Sequence, residues 1–200
     1  MSHIEHLKKI SLDGGLLCLD FINTVSGYMV NHPINYLTNE DEWLTWLKRV
    51  KLVEDRFGNF EKDSFNINEI LQVREMLYQL FIHYVEEQTI PDKVLAAFNK
   101  YCSRMNKYLS FISDGKEIRE ILVFNQQSAN GYLLPIIRSA KDILLSTELR
   151  NIKVCPNCGW IFLDKTKNNA RRWCNMKACG NKMKTQKYYR KMSLRNNEIE

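Results

Sequence analysis

Four of the six cysteines of this 200-residue chain fall within one 25-residue window, as Cys155, Cys158, Cys174 and Cys179, spaced Cys-x2-Cys-x15-Cys-x4-Cys. Two close pairs joined by a connecting segment are what a tetrahedral zinc site needs: each pair offers two thiolates from a tight turn, and the connector folds back to bring the pairs together. None of the four histidines (3, 6, 32, 83) lies near this window, so a local site would be all sulfur. Four thiolates fill the tetrahedron and leave no open position for a water, so the expected zinc is structural rather than catalytic. Three other chemistries compete. Disulfides require an oxidising compartment. A redox Cys-x-x-Cys pair wants a following helix to lower its thiol pKa, whereas Gly159-Trp160-Ile161-Phe162-Leu163 reads as a strand. Iron–sulfur ligation remains a third option for the same four thiolates.

The charge of the chain is concentrated beside these cysteines. The net formal charge is +6, yet from Asn151 onward twelve Lys and Arg face three acids, a local +9, and the first 150 residues carry a net −3. A basic module attached to a near-neutral body suggests a polyanionic partner, with phosphate backbones the commonest. The candidate contacts are Lys165, Lys167, Arg171, Arg172, Lys182, Lys184, Lys187, Arg190, Lys191 and Arg195. Beyond Cys179 the absence of further Pro, and of Gly after Gly180, predicts a helix from about Asn181. On it Lys184, Lys187, Lys191 and Arg195 share one side, and Thr185, Tyr188, Tyr189 and Met192 gather on another as a packing face. Arg171, Arg172 and Asn181 could read base edges or brace the finger.

The elements that must carry this module read as mainly helical. Helices are expected over about 39–56, capped near Thr38, over 67–87 with Asn66 or Asn68 as cap, from Pro91 to about Lys107, and over 131–147. Asp114-Gly115 closes a hairpin between Tyr108–Ile112 and Glu117–Phe124. The fold class is therefore mainly α with a small β component: a helical body with one β-hairpin over 1–149, then a four-cysteine module of a short hairpin and a basic C-terminal helix over 150–200. In the run Leu16 to Val25, Asp20 and Asn23 lie three apart, on one side of a helix. They hydrogen-bond nearby backbone or, with Thr24 and Arg74, line a ligand pocket. For Arg74 the alternatives are a surface position or a buried ion pair with an acid of the body.

No apolar stretch approaches the roughly 20 residues of a membrane span. The start Met-Ser-His-Ile-Glu-His lacks the features of a signal peptide, so a cytoplasmic location is expected. Gly-rich phosphate loops, Gly-x-Ser-x-Gly and His-Glu-x-x-His are all missing, which argues against an enzyme.

The stretches Cys155-Pro-Asn-Cys158-Gly-Trp-Ile-Phe162-Leu-Asp164, Arg171-Arg172-Trp173-Cys174-Asn-Met176 and Cys179-Gly180-Asn181-Lys182 resemble the CGNR zinc finger of bacterial transcription regulators. Leu19-Asp20-Phe21-Ile22-Asn23-Thr24 is similar to the start of the ABATE domain that precedes that finger, and Val73-Arg74-Glu75-Met76-Leu77 to its central helix. The resemblance implies a stress-linked regulator whose finger contacts DNA and whose body senses a ligand or a partner. The family's name-giving Arg is here Lys182, which keeps the charge and loses the planar fork used for bidentate contacts. A homodimer facing paired half-sites is a natural expectation for such a regulator. The alternative is a zinc-stabilised protein-interaction or RNA-binding module without sequence-specific DNA recognition.

Overall fold

A computed structural model describes residues 2–29 and 31–197, with side chains described through Arg190 and at Met192. Its elements run α1 (His3–Lys9), α2 (Leu17–Ile22), α3 (Glu40–Arg49), α4 (Ile67–Glu87), α5 (Asp92–Asn106), the antiparallel pair β1 (Leu109–Ser113) and β2 (Ile118–Leu122), α6 (Leu133–Leu144), the antiparallel pair β3 (Ile152–Val154) and β4 (Ile161–Leu163), and α7 (Asn181–Asn197).

Local chemistry accounts for most of the boundaries. Asn66 caps α4 by accepting from the Glu69 amide, and α4 ends where Gln88 turns left-handed at φ 56°. The cap of α3 is Asn39, one residue later than Thr38; Thr38 instead donates its amide and hydroxyl to Glu42 at 2.6 and 2.7 Å. That helix stops at Arg49 and does not run on to 56, because Val50 closes it and Lys51 takes φ 61°. The helix expected from Gly131 begins at Leu133, after a 3₁₀ turn at Ala129–Tyr132. The short α1, held by a Ser2 cap, has no counterpart among the expected helices.

The six-residue α2 is the hub. Its Cys18, Leu19, Phe21 and Ile22 are buried, and it packs on α4, α6 and β4. Phe21 meets Trp43 and Trp46 at 5.8 and 5.4 Å, and the two indoles stack 5.3 Å apart. A helix this short has little stability of its own, so it exists because tertiary burial holds it.

Strand β4 serves two cores through its period of two. Ile161 and Leu163 face the body core, together with Ile152 of β3. Phe162, between them, points the other way into the cysteine cluster. The hairpin β3–β4 is thus the shared wall between helical body and four-cysteine module. Among the described residues no helix is long and apolar enough to cross a membrane.

Candidate metal centre and basic surface

The Cys-x2-Cys turn is built on β3–β4. Cys155 accepts from the Gly159 amide at 2.8 Å and gives its own amide to the Trp160 carbonyl at 2.8 Å, which curls both thiols of the turn to one side. Gly159 closes the turn at φ 77°, where a Cβ would sit 3.0 Å from the Cβ of Tyr28. Cys174 and Cys179 arrive from the other side, Cys179 on a π-helical turn at Met176–Gly180 capped by Asn175.

All four Sγ atoms lie within 4.8 Å of one another and all four residues are buried. The separations Cys158–Cys174, Cys174–Cys179 and Cys179–Cys158 are 3.6, 3.6 and 3.7 Å. A regular tetrahedron of sulfur around zinc, with Zn–S bonds of about 2.3 Å, has edges of about 3.8 Å. The cluster therefore has the size and donor set of a structural zinc site. Sulfur packed on sulfur drives the thiol acidities apart: hydrogen bonds from Cys158 and Cys174 pull the Cys155 thiol far below its ordinary range, and the Cys158 thiol is pushed up to about 12. A bound divalent cation removes that conflict by favouring four thiolates at once. Asn157 donates its side-chain amide to the Cys179 sulfur at 3.3 Å. The ion's role is cohesion, supplying what a second core of Phe162, Trp160 and Trp173 is too small to provide.

The module is latched to the body by a chain of buried polar contacts. Asn23, 1% exposed, donates to the Ile161 carbonyl at 2.9 Å and accepts from the Ile161 amide at 3.1 Å, so its amide group acts as a one-residue strand beside β4. The Trp160 indole donates to the Val25 carbonyl at 2.8 Å, and the Cys158 carbonyl accepts from the amides of Tyr28 and Met29. On the other side of α2, Asp20 accepts from the Gly14 amide at 2.9 Å, and the Gly14 carbonyl accepts from the Leu163 amide at 2.9 Å. Burial raises the Asp20 carboxyl to about 7 against the opposing pull of the Gly14 and Gly15 amides. Thr24 and Arg74 close the loop between: the Arg74 guanidinium donates to the Thr24 carbonyl and hydroxyl, both at 3.1 Å, and to Asn35 Oδ1 at 2.8 Å. Arg74 thus pairs with neutral acceptors rather than with an acid. Thr24 and Arg74 are brought together within the body, whereas Asn23, and Asp20 through Gly14, serve the joint between body and finger.

Two residues of the finger that the spacing of cysteines does not reveal brace it from within. Asp164 accepts from Lys153 Nζ at 2.7 Å, from the amide and hydroxyl of Thr166 at 2.9 and 2.6 Å, and from the Arg171 amide at 2.8 Å. Burial alone would raise the Asp164 carboxyl, but these donors outweigh it and hold the group well below the usual carboxylate range. Lys153 also donates to the carbonyls of Asn169 and Arg171.

The cations sort into two groups. Arg171 is drawn inward: its guanidinium lies 4.6 Å from the Phe162 ring and donates to the carbonyls of Trp173, Cys174 and Asp13. Lys165 is itself exposed and donates to the Gly15 carbonyl at 3.0 Å. Lys167, Arg172, Lys182, Lys184, Lys187 and Arg190 are exposed. The side chains of Lys191 and Arg195 lie outside the described residues. The expected packing face of α7 is corrected by the structure: Tyr188 and Tyr189 are 60% and 66% exposed, and Met192 is exposed as well. The main packing partner of α7 is the π-helical turn that delivers Cys179, and the side chains from Lys184 to Arg190 are exposed, so the helix projects from the metal site.

Two family models match the chain: one described as CGNR zinc finger, over residues 151–192, and one named ABATE and described as Putative stress-induced transcription regulator, over residues 15–144. No curated protein matches it. The first match covers all four clustered cysteines, and the second covers α2, α4 and the residues Asp20, Asn23, Thr24 and Arg74. Spanning well over half of the chain, the second match establishes that this protein belongs to the ABATE family, with a zinc finger of the CGNR type following its helical body.

Proposed function

We propose that this protein is a transcription regulator that contacts DNA through α7 and the adjoining finger surface. The observation that carries this reading is the projecting α7 itself, whose segment from Asn181 to Asn197 contains no acid while Lys182, Lys184, Lys187 and Arg190 stand in solvent. A helix of that charge gains little from folding back on its own body and gains affinity from each phosphate it neutralises by releasing condensed counterions. Lys182, in place of the fork-shaped Arg, is a phosphate contact in this reading, as are Lys167 and Arg172 at the base of the helix. Arg171 holds the finger's shape, and Lys165 ties the finger to the body through Gly15.

Fluorescence anisotropy with the zinc-loaded protein and a duplex DNA tests the reading. With about five phosphate contacts, affinity should fall several hundredfold between 50 and 200 mM salt, and changing Lys184, Lys187 and Arg190 together to Ala should lower the salt slope by about three. Affinity indifferent to salt, or to these three changes, would overturn it. The exposed Tyr188–Tyr189 pair favours one second reading, since aromatic rings on a basic helix can stack unpaired bases. Competition by single-stranded RNA at concentrations where duplex DNA fails to compete would establish that reading instead, and enrichment of a common motif from a random duplex pool would establish the first.

A further inference from the structure

We propose that the cavity between α1 and the four-cysteine cluster binds a small aromatic carboxylate. The cavity holds about 320 Å³ and is lined from both parts of the chain, by Lys9 and Tyr36 of the body and by Trp160, Asn175 and Lys182 of the finger. That volume lies at the small end of ligand sites, which run from about 300 to 1,000 Å³, and suits a molecule of one or two rings. The buried part of the lining is Ile10, Tyr36, Cys158, Cys174 and Cys179, whereas Lys9 and Lys182 are exposed and therefore stand at the rim. None of Asp20, Asn23, Thr24 and Arg74 lines it, so this site is distinct from the pocket that their residue types suggested.

The aromatic walls are already fixed. The Tyr36 ring stacks on His6 with centroids 4.0 Å apart, and the Trp160 indole gives its N–H to the Val25 carbonyl at 2.8 Å. Both offer ring surface to a ligand without first having to be ordered. The polar groups that remain unspent select the charge. Asp13 is the one carboxylate in the lining, and it is engaged within the protein: it accepts from the Asn175 side-chain amide at 2.9 Å and has the Arg171 guanidinium 4.0 Å away. Asn157 gives its side-chain N–H to the Cys179 sulfur. Lys9 and Lys182, one from each part of the chain, form no ion pair among the described residues.

An anionic group at the rim satisfies these two ammoniums, and a cationic ligand would be repelled by them. The sulfur lining sets the orientation. Thiolates sharing a divalent cation keep a net negative charge, so the acid end stays at the rim and the apolar end goes inward. Sulfur favours the edge of an aromatic ring, where the quadrupole is positive, which selects an aromatic over an aliphatic inner end. A ligand so placed touches body and finger at once. If α7 contacts DNA as proposed above, its carboxylate also competes with a phosphate for Lys182 and lowers DNA affinity; binding of the acid itself does not depend on that reading.

Isothermal titration of the full zinc-loaded chain, without nucleic acid, tests the site with benzoate, naphthoate and indole acetate and with the neutral amide of each. At least one acid should bind with a dissociation constant on the order of 100 µM, and its amide at least tenfold more weakly. Changing Lys9 and Lys182 together to Gln should abolish that preference for the acid and leave the melting temperature unchanged, since both residues are exposed. Nitrogen-resolved NMR of the wild-type chain supplies a reading that does not depend on the variant: the Trp160 indole and the side-chain amides of Asn157 and Asn175 should shift along the titration. Four results would each overturn the proposal: no acid binding below about 2 mM, acid and amide binding alike, a preference that survives the double change to Gln, or these resonances unmoved at saturation.

Discussion

Asn23→Ala removes the most demanding contact between body and finger. The side chain is buried and satisfies both the amide and the carbonyl of Ile161, at 3.1 and 2.9 Å. Truncation leaves two buried backbone groups without partners, each costing about 1–3 kcal/mol, and opens a void the size of a carboxamide beside β4. A total loss of about 3–5 kcal/mol follows, which for a chain of this size lowers the melting temperature by roughly 8–15 °C. The perturbation should reach the metal site, because β4 also carries Phe162, which packs on the four cysteines. Two measurements check this: denaturant unfolding of the zinc-saturated protein, and the rate of zinc transfer to a chromogenic chelator, which should rise in the variant. Asn23→Asp makes the comparison sharper. It keeps an acceptor for the Ile161 amide and sets a second oxygen against the Ile161 carbonyl, so it should be no better than Ala despite its nearly conserved shape. A cost below about 1 kcal/mol for Asn23→Ala, or an Asn23→Asp variant as stable as wild type, would refute the account of the joint.

Other expectations follow from neighbouring groups. Elemental analysis of reduced protein should find one zinc per chain, and Cys158→Ser should lower that occupancy sharply and cost at least about 3 kcal/mol, because folding of the module and binding of the ion are one event; full stability without metal would contradict it. Burial raises Asp20 to about 7, so its contribution to stability is full below its unfolded value and is lost as pH rises toward 7. Asn at this position has no such loss, and the stability of Asp20→Asn relative to wild type should therefore improve by about 2–3 kcal/mol between pH 5 and pH 8, as read by denaturant midpoints; a pH-independent difference would exclude it. Asp164 has the opposite sign, since its lowered pKa stabilises the finger at pH above the ordinary carboxylate range, a contribution lost only in strong acid. At pH 7, Asp164→Ala should cost about 2–4 kcal/mol by leaving Lys153 and the Arg171 amide without their acceptor, and Lys153→Met added to it should recover part of that loss.

The metal site was legible in the sequence because zinc imposes its own grammar: four thiolates in two close pairs state the coordination number directly, and no other part of the fold has to be known. The long helix α4 and the β1–β2 hairpin were legible for a related reason, a periodic apolar stripe with an asparagine cap in one case and an Asp-Gly turn in the other, both local signals. Local signals also misled. The apolar positions of α7 promised a packing face, yet Tyr188 and Tyr189 stand in solvent, because a stripe on one helix says nothing of whether a second element lies across from it. The stripe around Trp43 and Trp46 similarly overran the true end of α3, which the left-handed turn at Lys51 sets.

What the sequence by itself determined, then, is the four-thiolate donor set of the tail and how its charge is distributed, since both depend on residue identity and close spacing. The use of Asn23, Asp20, Arg74 and Arg171 was decided only by the tertiary structure. Their partners, Ile161, Gly14, Asn35 and Asp13, lie between 6 and 158 residues away along the chain. A buried hydrogen bond is worth making only where its partner has also been stripped of water, and that condition belongs to the packed body and finger together, not to either segment alone.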